Sequence, residues 1–231
     1  VLAWIMLVGL VASLPFASGS GTPSGLTLGA AGWLMLAALG NVFGLLVSFV
    51  ALRIGKVGVV APVTSAEGAV AAVVAFLFGE SMGWQVGVCL AVITLGVVVS
   101  ARAPAPMPLA HEQPARAVLL AALAACMFGA SLFALGRVSG DLPSSWLVLA
   151  PRVLGVLVIA LPLIVGRRIR LTRKALPFVV GSGVAEVLGF FAFAQGARES
   201  TAVTAVLASQ FAPLAAVLAY LVYRESLGRQ Q

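Results

Sequence analysis

Charged residues are scarce in this sequence of 231 residues: 9% are charged, whereas 61% are hydrophobic. A soluble domain carries about 25% charged and 45–50% apolar residues. So few charges could not cover the surface of the chain in water, and the composition therefore excludes a soluble globular domain. In a bilayer, lipid solvates the apolar side chains, and the backbone satisfies its own hydrogen bonds in helices or a closed barrel.

Histidine and cysteine are almost absent as well. The only histidine, His111, falls in a proline-rich loop, so Ser182 in an apolar segment has no base to make it a nucleophile. Clustered His, Asp or Glu ligands for a metal are also missing. Cys89 and Cys126 lie within apolar runs and are predicted to be small packing residues. These absences argue against an enzyme: no catalytic residue, metal site or cofactor is expected.

The sequence has instead eight long apolar segments, each near the length that crosses a bilayer as a helix. They are much longer than the alternating ten-residue strands of a membrane barrel. The predicted fold is therefore all-α, a polytopic bundle of transmembrane helices. The segments are 2–17, 29–52, 57–79, 83–101, 116–136, 144–166, 175–197 and 201–223.

The net charge of +7, from 14 Lys+Arg against 7 Asp+Glu, could suggest nucleic acid in a soluble protein. Here the cations gather between the apolar segments, above all in the loop 167–174. Cytoplasmic loops of membrane proteins collect Lys and Arg, so this loop is predicted to be cytoplasmic. The predicted partner is thus the lipid bilayer and not nucleic acid.

The two halves of the chain resemble each other when one is shifted by 145 residues. Arg53 then falls on Arg198, Glu80 on Glu225, and the helix-contact glycine Gly44 on Gly189. Chance could match Ala, Val and Leu, but matched charges at helix ends indicate an internal repeat because charges are so few.

The repeat predicts the domain organisation. The first repeat is residues 1–103, the linker is 104–115 with its prolines, and the second repeat is 116–231. Aligning the halves gives a repeat unit of five helices, whereas each half shows four segments. We therefore expect the first repeat to lack its first helix and the second repeat to lack its last.

Two stretches carry a family resemblance: Pro62-Val63-Thr64 through Phe78-Gly79-Glu80-Ser81, and Pro213-Leu214 through Tyr223-Arg224-Glu225-Ser226. Each is an apolar helix with a proline, followed by an acidic residue that opens the next helix. With Arg152 in Ala150-Pro151-Arg152-Val153, they resemble the EamA-like family of the drug/metabolite transporter superfamily.

The resemblance implies two repeats of five helices, of which about eight helices are present here. It implies a multi-pass protein of the cell membrane that moves small metabolites, amino acids or drugs, as an exporter, by alternating access around a central cavity. Two alternatives stay open: a structural or accessory membrane protein, and an intramembrane enzyme. The sequence also leaves open a homodimer.

Two carboxylates stand near the middle of apolar segments, Glu67 in 57–79 and Glu186 in 175–197. A charge at the bilayer centre costs at least ~2.5–3.5 kcal/mol, so such residues are functional hypotheses by default. Either could bind a cationic group of a substrate or take up a proton. The alternative is an internal ion pair or a protonated structural acid.

Asn41 takes the place of Glu186 in the other repeat, and we predict that Glu67, Glu186 and Asn41 border one polar cavity between the halves. Arg152 is either an anion anchor or a side chain that snorkels to the membrane surface. Gln195 and Gln210 complete the predicted substrate-binding residues. Neighbouring hydroxyls, such as those of Thr64 and Ser65, are expected to bond to their own helix backbone.

Overall fold

The fold is helical throughout the part that the computed structural model describes, which confirms the all-α prediction. The described residues are 1–19, 26–81, 83–85, 87–89, 91–92, 95–96, 113–167, 169 and 171–210. The helices are α1 (Leu2–Ser18), α2 (Leu28–Ile54), α3 (Val57–Thr64), α4 (Glu67–Leu77), α5 (Pro114–Val138), α6 (Ser144–Gly155), α7 (Leu161–Val165), α8 (Leu176–Gly196) and α9 (Thr201–Ala208).

Five stretches of the described chain are long and apolar enough to cross a membrane: Leu28–Ile54, Val57–Leu77, Pro114–Val138, Ser144–Val165 and Arg173–Gly196. Each coincides with a predicted apolar segment to within a few residues. α1 is apolar but shorter. Apart from Gly83, the described residues of segment 83–101 are helical: 84–85, 87–89, 91–92 and 95–96. α9 begins at Thr201, the predicted start of the last segment.

The third predicted segment is not one continuous helix, because a turn at Ser65 and Ala66 interrupts it between α3 and α4. Pro62 lies just before the break and has no N–H to donate within the helix. The Ser65 hydroxyl donates to the carbonyl of Pro62 (2.8 Å), and that of Thr64 donates to Val60 (2.9 Å). These bonds confirm that the two hydroxyls serve their own helix backbone, and the break leaves Glu67 as the first residue of α4.

The sixth predicted segment contains a second irregularity. Between α6 and α7, Val156–Ala160 winds as a π-helix, with one extra residue in the turn. Pro162, two residues after this stretch, cannot donate a backbone N–H, so the regular α-helical pattern is interrupted there.

The helices form two compact units, and each unit takes helices from both halves of the sequence. Unit 1 is Val1–Val42 with Ala134–Ser200, and unit 2 is Phe43–Phe133 with Thr201–Gln231. The compact units therefore divide the chain differently from the two predicted repeats. The repeat boundaries and the missing outer helices stay predictions.

Unit 1 packs α1 against α6 and α8. Glycines allow these helices to approach closely: a Cβ at Gly183 would lie 2.8 Å from a methyl carbon of Val8, and one at Gly155 would overlap the side chain of Met6. At one end of the unit, Arg198 donates to the carbonyl of Ser139 (3.0 Å) and so ties the end of α8 to the connection after α5.

Unit 2 packs α4 against α9, and Gly68 touches the backbone of that helix at Ala205. In the same unit, a Cβ at Gly44 would lie 2.8 Å from the ring of Phe128, which confirms Gly44 as a close helix contact. Gly189, its repeat partner, has nothing within 4 Å, so it does not share that role among the described residues.

The two cysteines are not packing residues, contrary to the prediction from their apolar surroundings. Both Cys89 and Cys126 are free and exposed. An apolar run in a membrane helix has a lipid-facing side as well as a packed side, so position within the run does not fix burial.

Glu80 is predicted to open the segment that follows it, but its carboxylate instead lies at the N-terminus of α9. Gly79, with φ +94°, turns the chain after α4, and Glu80 Oε2 accepts a hydrogen bond from the Ala202 N–H at 3.2 Å. The carboxylate thus meets the positive end of the helix dipole and one of its unpaired N–H groups. The matching residue Glu225 lies outside the described residues.

We expect Glu80→Ala to lower the free energy of unfolding by about 1 kcal/mol, the usual effect of losing a helix cap. Glu80→Gln keeps an oxygen acceptor and is expected to lose less. Unfolding by SDS titration in mixed micelles measures both, with Glu199→Ala, an exposed carboxylate, as the control. Equal stability of Glu80→Ala and wild type would contradict the capping role.

Candidate substrate site

An ion pair inside unit 1 joins two of the predicted site residues. Arg152, in α6, places Nη1 2.8 Å from Oε1 of Glu186, in α8. The Arg152 side chain is 0% exposed and that of Glu186 is 21% exposed, so the guanidinium is enclosed while the carboxylate keeps some access. The alternative of an internal ion pair, left open for Glu186 by the sequence, is therefore realised.

Full burial also decides between the two alternatives for Arg152. A snorkelling arginine carries its guanidinium out to the membrane surface, whereas this one reaches no surface of the chain. The snorkelling alternative is therefore wrong. The helix directs the side chain inward because Arg152 shares its face with the buried residues Val148 and Gly155.

Apolar side chains and one glycine surround the Arg152 guanidinium. The ring centroid of Phe190, one turn after Glu186 on α8, lies 5.1 Å from Arg152 Cζ, as in a cation–π contact. Met6 Sδ lies 3.9 Å from Nη1. Gly9 adjoins the aliphatic stem, where a Cβ would come within 2.9 Å of Arg152 Cδ.

Two of the three guanidinium nitrogens remain without a hydrogen-bond partner within the described part of the chain. Arg152 Nε and Nη2 are both buried and unpaired. Buried donors almost always find an acceptor, and a charged donor without one is especially unfavourable. These two atoms are the most unusual polar groups of the site.

Asn41 belongs to the same unit and is 4% exposed, with its Oδ1 unpaired among the described residues. Trp4 Nε1 is the remaining buried polar side-chain atom without a partner there, also in unit 1. Unit 1 thus collects every unpaired buried side-chain N or O atom found in the described residues. The equivalence of Asn41 and Glu186 in the repeat places one polar residue in each half.

The other three predicted site residues are described unit by unit. Glu67 belongs to unit 2, where it opens α4 at the break in the membrane span. Gln210 also belongs to unit 2 and donates to the carbonyl of Val206 at 3.0 Å. Gln195 is exposed near the end of α8. The predicted cavity that Glu67, Glu186 and Asn41 share stays a prediction.

Sequence reasoning missed Met6, Gly9 and Phe190. An apolar residue in an apolar helix gives no signal of its own. The one available signal was the spacing of Phe190 four residues after Glu186, which puts both on one helix face. No cluster of three or more His, Cys, Asp or Glu side chains occurs among the described residues.

The helices and the buried pair define a polytopic membrane protein with ionic groups inside its helical packing. The sequence model of the EamA-like transporter family matches the chain in two stretches, residues 1–102 and 115–231. The chain belongs to this family, which is part of the drug/metabolite transporter superfamily. It is a multi-pass integral membrane protein and a transporter of small molecules. No curated protein sequence matches the chain.

Proposed function

We propose that this protein exports a small metabolite, amino acid or drug across the cytoplasmic membrane by alternating access, and that Arg152 and Glu186 contact the molecule it carries. The observation that carries the proposal is the ion pair inside the helices of unit 1, with Nη1 and Oε1 2.8 Å apart. Both residues lie within candidate membrane spans, Ser144–Val165 and Arg173–Gly196.

A buried ion pair contributes little to the stability of a membrane protein. Removing two ions from water is expensive, and apolar side chains of similar size often stabilise a buried position equally well or better. Ionic groups within membrane spans therefore mark substrate or ion pathways more often than they serve only to hold helices together. The exposed fraction of Glu186 supports access of a ligand to the pair.

Glu67 is the second carboxylate that we assign to the path of the transported molecule. It follows the break between α3 and α4 within the span Val57–Leu77. Transporters commonly form their binding sites from discontinuous helices, whose half-helix ends present charge and unpaired backbone groups to the ligand. The roles of Asn41, Gln195 and Gln210, and the assembly of a homodimer, stay predictions.

An efflux assay tests the proposal. Cells that make the protein are preloaded with a panel of labelled amino acids, nucleosides and cationic drugs, and the loss of each compound is followed. We expect at least one compound to leave faster than from cells without the protein. The variant Glu67→Gln/Glu186→Gln is expected to reduce that export at least tenfold, because both carboxyl groups are removed from the membrane spans.

The matched control is Arg137→Gln/Glu199→Gln, which removes two exposed charges. It is expected to export at the wild-type rate at equal abundance in the membrane. Faster uptake in place of efflux would contradict the direction. Full activity of Glu67→Gln/Glu186→Gln would favour a protein whose buried carboxylates only hold its helices together.

A further inference from the structure

We infer that the unpaired edge of the Arg152 guanidinium is a carboxylate-binding site, so that the transported molecule carries a carboxylate held side-on by Nε and Nη2. The inference rests on the proposed function, because it names the chemistry of the molecule that this site would take. The ion pair with Glu186 leaves these two buried nitrogens without an acceptor among the described residues.

The covalent geometry of arginine makes these two atoms a matched set. The N–H of Nε and one N–H of Nη2 project in parallel from the same edge of the planar group, at a spacing that fits the two oxygens of a carboxylate. Glu186 approaches Nη1, the third nitrogen. The internal ion pair therefore occupies one donor and leaves the bidentate edge intact.

The neighbours of Arg152 leave that edge free of other acceptors. Phe190 lies over the guanidinium, and Met6 Sδ approaches Nη1. Beside Nε stands Gly9, whose missing Cβ would otherwise lie 3.5 Å from that nitrogen. A side chain at position 9 would crowd both Nε and the aliphatic stem, so the glycine lets α1 pack against Arg152 without displacing the guanidinium. The thioether and the ring suit an apolar ligand body.

The charge balance narrows the class of carboxylate. Arg152 and Glu186 together are neutral, so a simple carboxylate would add a net negative charge among apolar helices, where charge is costly. A zwitterion adds no net charge, and its cationic group can meet the Glu186 carboxylate, which is 21% exposed. We therefore expect a zwitterionic carboxylate to bind more tightly than a simple one.

Binding to the purified protein in detergent tests the inference with four related probes. They are 4-methylpentanoate and its amide, and L-leucine and its amide, all at matched ionic strength. We expect wild type to bind each carboxylate at least tenfold more tightly than its amide, and leucine more tightly than 4-methylpentanoate. Equal affinity for acids and amides, or no binding of either acid, would overturn the inference.

Two variants separate recognition from folding. Arg152→Lys keeps the positive charge and a partner for Glu186, but lysine lacks the two parallel N–H donors of a guanidinium. The ratio of the affinity for an acid to that for its amide is therefore expected to fall close to one. Gly9→Ala is expected to weaken acid binding several-fold without removing any charge. Gly32→Ala, with nothing within 4 Å of the new Cβ, is the control and should bind like wild type. An undiminished preference in Arg152→Lys would overturn the inference.

The two proposals fail in different ways. Acid-selective binding to a protein that transports no compound of the panel would contradict the transport proposal and support the binding site. Transport of compounds without a carboxylate, combined with equal binding of acids and amides, would contradict the binding site and leave the transport proposal standing.

Discussion

Glu186→Leu is expected to lower the free energy of unfolding by about 3–5 kcal/mol, the usual effect of breaking a buried ion pair from one side. The substitution leaves the Arg152 guanidinium, which is 0% exposed, without its counter-ion. A guanidinium cannot relieve this by losing a proton. Adding Arg152→Met removes the stranded charge, and the double variant is expected to recover most of the lost stability.

SDS titration of the single and double variants completes a double-mutant cycle that isolates the coupling between the two ions. The control pair is Glu199→Leu and Arg137→Met, both at exposed positions, each expected to stay within about 0.5 kcal/mol of wild type. A double variant no more stable than Glu186→Leu alone would contradict this account, because it would show that the buried Arg152 charge does not need Glu186 as its counter-ion.

Gly68→Ala is expected to lower the stability of unit 2 by about 1–3 kcal/mol, the usual effect of overpacking. The added Cβ would lie 2.7 Å from Ser209 Cβ and closer still to the carbonyl oxygen of Ala205. The oxygen belongs to the backbone of α9, so a change of rotamer cannot relieve the clash. α4 and α9 would have to separate along their contact.

Gly32→Ala and Gly189→Ala are the matched controls for this change. Both glycines lie within helices, and a Cβ at either meets nothing within 4 Å. Alanine favours the helix by up to about 1 kcal/mol relative to glycine, so these variants are expected to be neutral or slightly stabilised. Unfolding curves of Gly68→Ala that matched those of Gly32→Ala would contradict the close contact between α4 and α9.

The helices themselves could be predicted because the bilayer makes length and apolarity sufficient signals. α2 was predicted as 29–52 and runs from Leu28 to Ile54, and α5 was predicted as 116–136 and runs from Pro114 to Val138. Lys56 and Gly55 interrupt the apolar pattern after α2, and a charge at that place marks a helix end because it is unfavourable inside lipid.

The type of irregularity within each helix could not be predicted from the sequence. Pro62 and Pro162 were visible, but proline within a membrane helix causes a kink, a break or a π turn according to how the freed carbonyls find partners. Near Pro62, Thr64 and Ser65 provide hydroxyls that bond to the backbone, and the helix breaks. Near Pro162 the chain widens to a π-helix instead.

The contact between Arg152 and Glu186 could not be predicted from the sequence for a related reason. Scarcity of charge identified both residues as unusual, but their contact joins separate helices and depends on how those helices pack. The small residues Gly9 and Gly183 set that packing through close contacts of α1 with α6 and α8. Such contacts depend on three-dimensional fit, which hydropathy does not encode.

The most direct measurement is the transport rate of the variant Arg152→Met/Glu186→Leu in proteoliposomes, with the compound that the efflux panel selects. This variant is expected to fold with nearly wild-type stability because it replaces both ions by apolar groups of similar size. If the pair holds the transported molecule, its rate falls at least tenfold below wild type. A stable Arg152→Met/Glu186→Leu protein that transports at the wild-type rate would contradict the assignment of Arg152 and Glu186 to the substrate site.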